Sequence, residues 1–244
     1  MRTGDRNQHA KLPGETPRSL SGIDLFAPLD QAALQVLERR CSWRHWAAGE
    51  QIIDRETLSN DVYFVVAGLA RVVDYSDSGH REVVFDEIGP GGYFGELAAI
   101  DGEPRSAHIV AVEGTVTAAL TADAFVDVLF RHREAGLALM RRLTEVVRNA
   151  TTRIMDLSTL PVHRRIYFEL LRQAKTGGGR PPNTAAIHPV PVHGDIAARV
   201  STTRETVARV LSELAHRGLV RREHDMLLIC DLRMLTRLTD RGRE

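Results

Sequence analysis

Short apolar runs of strand type follow one another between residues 51 and 121, and glycines lie between most of them. The runs are QIID, DVYFVVA, LARVVDY, REVVFDEI, AHIVAVEG and TVTAALT. Runs of this length, rich in β-branched residues, are typical of strands, and glycine permits the tight turns between them. The succession therefore predicts a small antiparallel β-roll or barrel.

A helical pattern replaces the strand pattern after residue 121, in a stretch without proline. Apolar residues recur there at steps of three and four, which draws one narrow seam along about 27 Å of helix. The seam consists of Leu139, Leu143, Val146, Ala150, Ile154 and Leu157. Its charged flanks are typical of a two-stranded coiled coil, so the pattern predicts a homodimer. The alternative is a helix that packs on its own domain.

The charge of the chain is balanced overall but unevenly distributed. The whole chain has 32 Lys and Arg and 32 Asp and Glu, whereas residues 161–244 have 15 Lys and Arg against 9 Asp and Glu. A basic C-terminal third favours an acidic partner such as nucleic acid. The alternative is an accident of surface composition.

Several classes are disfavoured by composition. No run of eighteen apolar residues occurs, and the polar start MRTGDRNQHAKLPGE has no apolar core of a signal peptide. Cys41 and Cys230 match no metal-binding spacing. We therefore expect a cytoplasmic protein, most simply of two domains, without a membrane span, a metal site or a disulfide framework.

The C-terminal segment has the pattern of a winged helix-turn-helix. A short helix at about residues 194–199, a polar break at 200–202 and a longer helix through Leu214 are followed by two strand-like runs, LVRRE and MLLICD.

Polar residues at the start of the longer helix are candidates for DNA recognition. Arg204, Glu205 and Arg209 lie within two turns, and Arg can bind guanine while Glu accepts from cytosine. Thr203 and Thr206 are predicted to contact phosphates. The alternative is an ordinary solvated helix face.

The stretch GPGGYFGELAAIDGEPRSAHIVAVEG, residues 89–114, combines glycines with one arginine. A phosphate bound without metal needs close backbone N–H groups and a fixed cation, which points to the amides of Leu97 and Ala98 and to Arg105. Glu96 fits beside a phosphate only if the ligand also offers a hydroxyl. The pattern suits a nucleotide with one charge and a free 2′-hydroxyl, and the alternative is a glycine-rich turn with a salt bridge between Arg105 and Glu96.

Two of these stretches resemble a known family. FGELAAIDGEPRSA, residues 94–107, resembles the phosphate-binding cassette of cyclic-nucleotide-binding domains. RETVAR, residues 204–209, resembles the recognition helix of CRP/FNR-type transcription regulators. The resemblance spans about residues 20–235. It implies an α+β fold with a jelly-roll-like antiparallel β-roll, a long dimerisation helix and a winged helix-turn-helix.

The resemblance also implies a domain division and site residues. The expected parts are a disordered tail (1–19), the β-roll (20–134), the dimerisation helix (135–158) and the DNA-binding domain (159–244). Glu96 is expected to accept from the ribose 2′-hydroxyl, and Arg105 and Ser106 to hold the cyclic phosphate. The implied ligand set is Gly95, Glu96, Leu97, Ala98, Arg105, Ser106, Ala107, Ala150, Thr151 and Thr152. The DNA-binding set is His193, Thr202, Thr203, Arg204, Glu205, Thr206 and Arg209.

Departures from the family pattern bear on the ligand. Ala150 stands where the family usually has a threonine that contacts adenine, and Ser106 can bond either phosphate or a guanine edge. Cyclic AMP is the expected ligand and cyclic GMP the alternative. Ser201 stands where the turn often has glycine, at a cost of about 1 kcal/mol for left-handed geometry.

The family also implies partners and a further alternative. The expected partners are double-stranded DNA with an inverted TGTGA-like repeat, a second copy of the chain and RNA polymerase. A haem-dependent gas sensor, with His45 or His132 as ligand, is the other alternative. A phosphodiesterase would need a nucleophile or metal cluster, and the sequence offers only Glu96 and His108 nearby, so we expect no enzymatic activity.

Overall fold

The computed structural model of the protein describes residues 18–75, 82–176 and 181–240. Residues 1–17 of the predicted tail lie outside the described residues, as do residues 76–81, 177–180 and 241–244. The chain divides into two compact units. The first contains the residues up to Arg71 together with Glu87–Ala138, and the second contains Val72–Asp86 and the chain from Leu139 onward.

The predicted β-roll is confirmed as two four-stranded sheets in the described residues, with strand orders β1-β8-β3-β6 and β2-β7-β4-β5. The strands are β1 (Ser42–Trp46), β2 (Gln51–Ile53), β3 (Val62–Ala67), β4 (Ala70–Tyr75), β5 (Glu82–Ile88), β6 (Tyr93–Phe94), β7 (His108–Ala111) and β8 (Thr115–Leu120). The central pair is antiparallel, with Phe64 of β3 opposite Ala118 of β8. β4 begins in the first unit and ends in the second, and β5 begins in the second unit and ends in the first.

The first unit contains the α-helices α1 (Gln31–Arg40), α2 (Glu96–Asp101) and α3 (Ala122–Arg131). The side chain of Asp30 accepts from the amide of Ala33 at the start of α1, as its position in the sequence predicts. Phenyl rings fill the interior beside them. The Phe64 ring centroid lies 4.8 Å from that of Phe26 and 6.3 Å from that of Phe125, so strand, helix and N-terminal segment share one core.

The turn between β3 and β4 requires glycine. Gly68 has a φ of +84°, and a Cβ there would lie 2.5 Å from the carbonyl oxygen of Gly114. The glycine therefore permits both the left-handed turn and the close approach of the next hairpin.

The long helix α4 (Arg133–Thr159) has 27 residues and begins in the first unit. The rest of the second unit consists of α5 (Val162–Gln173), β9 (Ala185–Ile187), α6 (His193–Arg199), α7 (Arg204–His216), β10 (Val220–Glu223), β11 (Met226–Ile229) and α8 (Leu232–Asp240). The border between the units at Leu139 lies inside α4. The compact units therefore follow other bounds than the four parts expected from the sequence, and that division stays a prediction.

The predicted winged helix-turn-helix is confirmed, with a third strand that the sequence did not indicate. β10 and β11 form the expected hairpin, and β9 adds to it in the order β10-β11-β9. The core of this part consists of buried residues at helical spacing on α5, α6 and α7 and of apolar residues of the sheet. Its fully buried members include Ile166, Leu170, Ile196, Val207, Leu214 and Ile229. Across the described ranges, no helix is long and apolar enough to span a membrane.

Candidate functional site

A glycine turn joins β6 to the short helix α2. Gly95 adopts φ 87° and ψ 4°, the left-handed region, and Glu96 follows as the first residue of the helix. A Cβ at Gly95 would lie 2.6 Å from Nη1 of Arg105 and 2.8 Å from the carbonyl oxygen of Asp61. Only glycine therefore fits between this arginine and the loop before β3.

The Arg105 guanidinium is held inside this turn, and the residue is only 4% exposed. Nη1 donates to the carbonyl oxygen of Gly95 at 3.0 Å. Nη2 donates to Oγ of Ser59 at 3.0 Å and to the carbonyl oxygen of Asp61 at 2.8 Å. Its Nε is buried and has no hydrogen-bond partner within the described residues. The three hydrogen bonds of Nη1 and Nη2 therefore hold the guanidinium in one place.

The charge of Arg105 is only partly compensated by the surrounding protein. Burial lowers the pKa of Arg105, and the attraction of Tyr63, Asp61 and Glu96 acts in the opposite direction. The three hydrogen bonds of the guanidinium go to neutral oxygen atoms. A buried cation in this setting attracts a compact anion.

The other predicted residues of this stretch lie around the same turn. Glu96 is half-buried at the start of α2, Leu97 and Ser106 are exposed, and Ala98 and Ala107 are buried. The cassette residues thus lie on the turn after β6, on α2 and on the segment directly before β7. Their contacts with a ligand stay a prediction.

Sequence reasoning missed the support on the loop between β2 and β3. Ser59 and Asp61 accept hydrogen bonds from Arg105 although 46 and 44 positions separate them from it in sequence. Tyr63 stacks on Phe94 with ring centroids 5.4 Å apart and thereby packs β3 against the strand before the turn. A loop hydroxyl and a backbone carbonyl give no sequence signal, so only the fold reveals this support.

The three ligand residues predicted on α4 lie in the second unit, whereas the cassette lies in the first. Ala150, Thr151 and Thr152 are exposed. The two hydroxyls donate to backbone carbonyl oxygens one turn earlier, Thr151 to Val147 and Thr152 to Arg148, both at 3.0 Å. These hydroxyls keep acceptor capacity for a ligand, because each uses only its hydrogen.

The exposed apolar face of α4 differs from the predicted seam. Leu139 is only 5% exposed, so the chain's own residues cover it, and Leu143 is half-buried. The predicted members Val146, Ala150, Ile154 and Leu157 are exposed. The most exposed apolar side chains at heptad spacing are Met140, Val147 and Ile154, at 58%, 64% and 63%. The sequence of α4 contains two overlapping apolar faces. The sequence alone does not indicate which of them is buried by other residues of the chain.

The turn between α6 and α7 is built on a left-handed serine. Ser201 has a φ of 54°, as expected for a residue in the place of glycine. The amide of Thr202 donates to the carbonyl oxygen of Ala197 at 2.9 Å, which closes the end of α6. Thr203 then caps α7, because its hydroxyl accepts from the amide of Thr206.

The first turns of α7 present a polar face. Arg204, Glu205 and Arg209 are exposed, whereas Val207 and Val210 are buried in the core. The Arg204 guanidinium lies against the start of α6, since a Cβ at Gly194 would be 2.9 Å from its Nε. Hydrogen bonds from its own backbone amide and from Thr203 lower the pKa of Glu205, which keeps it an acceptor. The remaining predicted DNA contacts are His193 and Thr203, which are exposed, and Thr202 and Thr206, which are half-buried.

Two of the arginines near α7, Arg199 and Arg221, contact carboxylates of the chain itself. The side chain of Arg199 is only 15% exposed and lies 3.6 Å from Glu169, so it belongs to the interior. Arg221 on β10 pairs with Glu223. Arg217 and Arg222 are exposed. Within the part of the chain that the structure describes, no group of three His, Cys, Asp or Glu side chains could hold a metal ion.

Two family models match the chain. The cyclic nucleotide-binding domain matches residues 43–132. The Crp-like helix-turn-helix domain matches residues 164–238. The first range includes the cassette, and the second includes the recognition helix.

Regulators of transcription are among the known proteins similar to this chain. It is 31% identical over 202 residues to the cyclic AMP receptor protein of Thermus thermophilus, covering 83% of this chain and 90% of that protein. It is 24% identical over 218 residues to the CRP-like cAMP-activated global transcriptional regulator of Mycobacterium tuberculosis, covering 89% of this chain and 97% of that protein. A CooA mutant from Carboxydothermus hydrogenoformans has a similar fold, with a TM-score of 0.74 at 20% identity over 89% of this chain and 95% of that one.

Proposed function

The chain belongs to the CRP/FNR family of cyclic-nucleotide-binding, DNA-binding transcription regulators, and from this premise we propose that it is a homodimer whose DNA binding responds to cyclic AMP. The proposal concerns the identity of the nucleotide, the assembly and the operator.

The observation that carries the ligand proposal is the Arg105 guanidinium, which three hydrogen bonds to neutral oxygen atoms fix beside the Gly95 turn. A cyclic monophosphate supplies one negative charge with acceptor oxygens, which fits a single fixed cation. Arg105 and Ser106 hold that charge, Gly95 keeps the backbone close, and Glu96 accepts from the ribose 2′-hydroxyl. Ser59 and Asp61 orient the guanidinium through the hydrogen bonds already described.

The residues of the chain constrain the identity of the base less than they constrain the phosphate. The names of the Thermus and Mycobacterium relatives support cyclic AMP. Ala150 offers no hydroxyl to adenine, whereas Thr151, Thr152 and the exposed Ser106 do offer hydroxyls. Cyclic GMP is therefore the second candidate, favoured by these hydroxyls.

The operator proposal rests on α7 and on the exposed face of α4. The bases in the major groove are contacted by Arg204, Glu205 and Arg209. The resemblance of RETVAR, residues 204–209, to the family's recognition helix favours a TGTGA-like half-site. Two chains joined along α4 present two such helices, which suits an inverted repeat with half-sites about 34 Å apart. Nucleotide changes DNA affinity only by its differential affinity for the DNA-competent state.

The experiment is a calorimetric titration of the wild-type protein with cyclic AMP and, separately, with cyclic GMP. We expect saturable binding of cyclic AMP that is at least tenfold tighter than binding of cyclic GMP. The reverse order would transfer the role to cyclic GMP. Binding of neither would contradict the ligand proposal, and a visible absorption spectrum of the purified protein would then test for haem.

A further inference from the structure

One arginine of the long helix lies where three elements of the second unit meet. Nη2 of Arg153 on α4 donates to the carbonyl oxygen of Arg199 at 3.1 Å. Its Nη1 donates to the carbonyl oxygen of Phe85 on β5 at 3.4 Å, and the guanidinium carbon lies 5.6 Å from the centre of the Phe85 ring. One side chain thus links α4, β5 and α6.

The acceptor on α6 is the last residue of that helix. Arg199 ends α6, and the residues that follow form the turn that leads to α7. The carbonyl groups at a helix C-terminus have no partner inside the helix and carry its negative dipole end. A cation donating to this carbonyl fixes the end of α6 and thereby the start of the turn.

A buried carboxylate anchors the same cluster from α5. Glu169 is 7% exposed and accepts from Arg172 at 2.6 Å and 2.8 Å and from Gln173 at 2.6 Å. The Arg199 side chain lies 3.6 Å from it. Arg199 therefore contacts α5 through its side chain and α4 through its backbone.

Arg153 lies half-buried in this cluster. Burial lowers the pKa of Arg153, Glu169 opposes that shift and the neighbouring Arg199 adds to it. A buried charge is costly, and an apolar residue of similar size often stabilises such a position more. A directional bond between groups that water can also solvate is easier to break and remake than an apolar contact. This favours a contact that opens and closes.

We propose that Arg153 is a clasp that ties α4 and β5 to the C-terminal end of α6 and so couples the long helix to the helix-turn-helix. The regulatory part of this inference rests on the proposed function, because it assigns to Arg153 the transmission of nucleotide binding to DNA affinity. Arg153 is a positioning residue, since it acts through the end of α6.

The structural part is tested by hydrogen exchange on the full-length protein without ligand. The amides of Val200 and Thr202 donate to the carbonyl oxygens of Ile196 and Ala197, so they report on the end of α6. Arg153→Met keeps the length of the side chain and removes its hydrogen bonds. We expect these two amides to exchange at least fivefold faster in Arg153→Met, and by an intermediate factor in Arg153→Lys. Unchanged exchange would overturn the clasp.

The control is Arg148→Met, which removes an exposed arginine from the same helix. We expect wild-type exchange at the end of α6 in this control. An equal acceleration in Arg148→Met and Arg153→Met would show a general effect of charge on α4 and would contradict the clasp.

The regulatory part is tested by calorimetry and by DNA binding with and without cyclic AMP. We expect Arg153→Met to bind cyclic AMP within twofold of wild type, while the ratio of its DNA affinities with and without cyclic AMP decreases at least fivefold. An unchanged ratio would overturn the coupling. If the DNA affinity of the wild-type protein is the same with and without cyclic AMP, the proposed function fails. The hydrogen-exchange experiment alone then tests whether Arg153 holds the end of α6.

Discussion

The buried Arg105 guanidinium lies at the turn after β6, where we propose that it holds the cyclic phosphate. Arg105→Gln removes that charge and the fork of donors, and charge-assisted hydrogen bonds contribute about 1.5–3 kcal/mol each. We expect cyclic AMP affinity to decrease by about 100-fold or more in a calorimetric titration. The matched control is Arg44→Gln, an exposed arginine on β1 of the same unit, and a similar loss in that control would mean that net charge matters rather than the cassette.

Substitution of the two glycines that flank α2 distinguishes the energetic cost of backbone strain from the cost of a steric clash. Gly95 and Gly102 both adopt left-handed backbone, but only a Cβ at Gly95 meets neighbouring atoms within 4 Å. Gly102→Ala should lower the free energy of unfolding by about 1 kcal/mol through strain alone. Gly95→Ala should cost more and also weaken nucleotide binding, because it displaces Arg105. Chemical denaturation and calorimetry measure both effects, and equal effects of the two substitutions would contradict this packing.

For single residues, the sequence predicts that Arg105 supplies the positive charge of the cassette, but it does not predict which groups hold the guanidinium in place. The motif identifies Arg105 through its spacing from Glu96. Its burial and its bonds to Ser59 and Asp61 follow from the path of the loop before β3, which no local pattern encodes.

The helix α7 lies in the Crp-like helix-turn-helix domain, and we propose that operator choice depends on it. Arg209 is exposed on the polar face of α7, which follows from the burial of Val207 and Val210 on the opposite face. Arg209→Ala should reduce discrimination between a TGTGA-like half-site and a variant with one G·C pair exchanged by about 1–3 kcal/mol. Binding titrations on both duplexes at one salt concentration measure this difference.

The control for Arg209 is Arg217→Ala, at the other end of α7 near Glu213. We expect Arg217→Ala to leave discrimination unchanged. A uniform loss of affinity on both duplexes in Arg209→Ala would instead assign Arg209 to the phosphate backbone.

Elements with strong local patterns were predictable, and those defined by partners were not. The spacing of apolar residues and the positions of turn-forming and capping residues predict the strand runs, the cap at Asp30 and the helix-turn-helix. β9 is only three residues long, and it becomes a strand through its pairing with β11. The face of α4 that stays exposed also depends on tertiary burial, as Leu139 illustrates.

For the whole molecule, the exposed apolar side chains of α4 predict an assembly of two chains. Val147 is 64% exposed and lies on the face of Met140 and Ile154. Val147→Glu places a charge in that face and should shift the protein from dimer to monomer in sedimentation velocity at micromolar concentration.

The matched control is Asn149→Glu, which adds the same charge to an exposed position on another face of α4. We expect it to remain dimeric. A Val147→Glu protein that stays dimeric would place the interface elsewhere, whereas dissociation of both variants would indicate charge repulsion rather than a specific face.

The most direct test of the central claim is the DNA affinity of the wild-type protein with and without cyclic nucleotide. Fluorescence anisotropy of a labelled duplex with an inverted TGTGA-like repeat, at one salt concentration, gives both affinities. We predict binding at least tenfold tighter with cyclic AMP, within the usual range of allosteric coupling of about 5–150-fold, and no such change in Arg105→Gln. Equal affinity with and without either cyclic nucleotide would contradict the account.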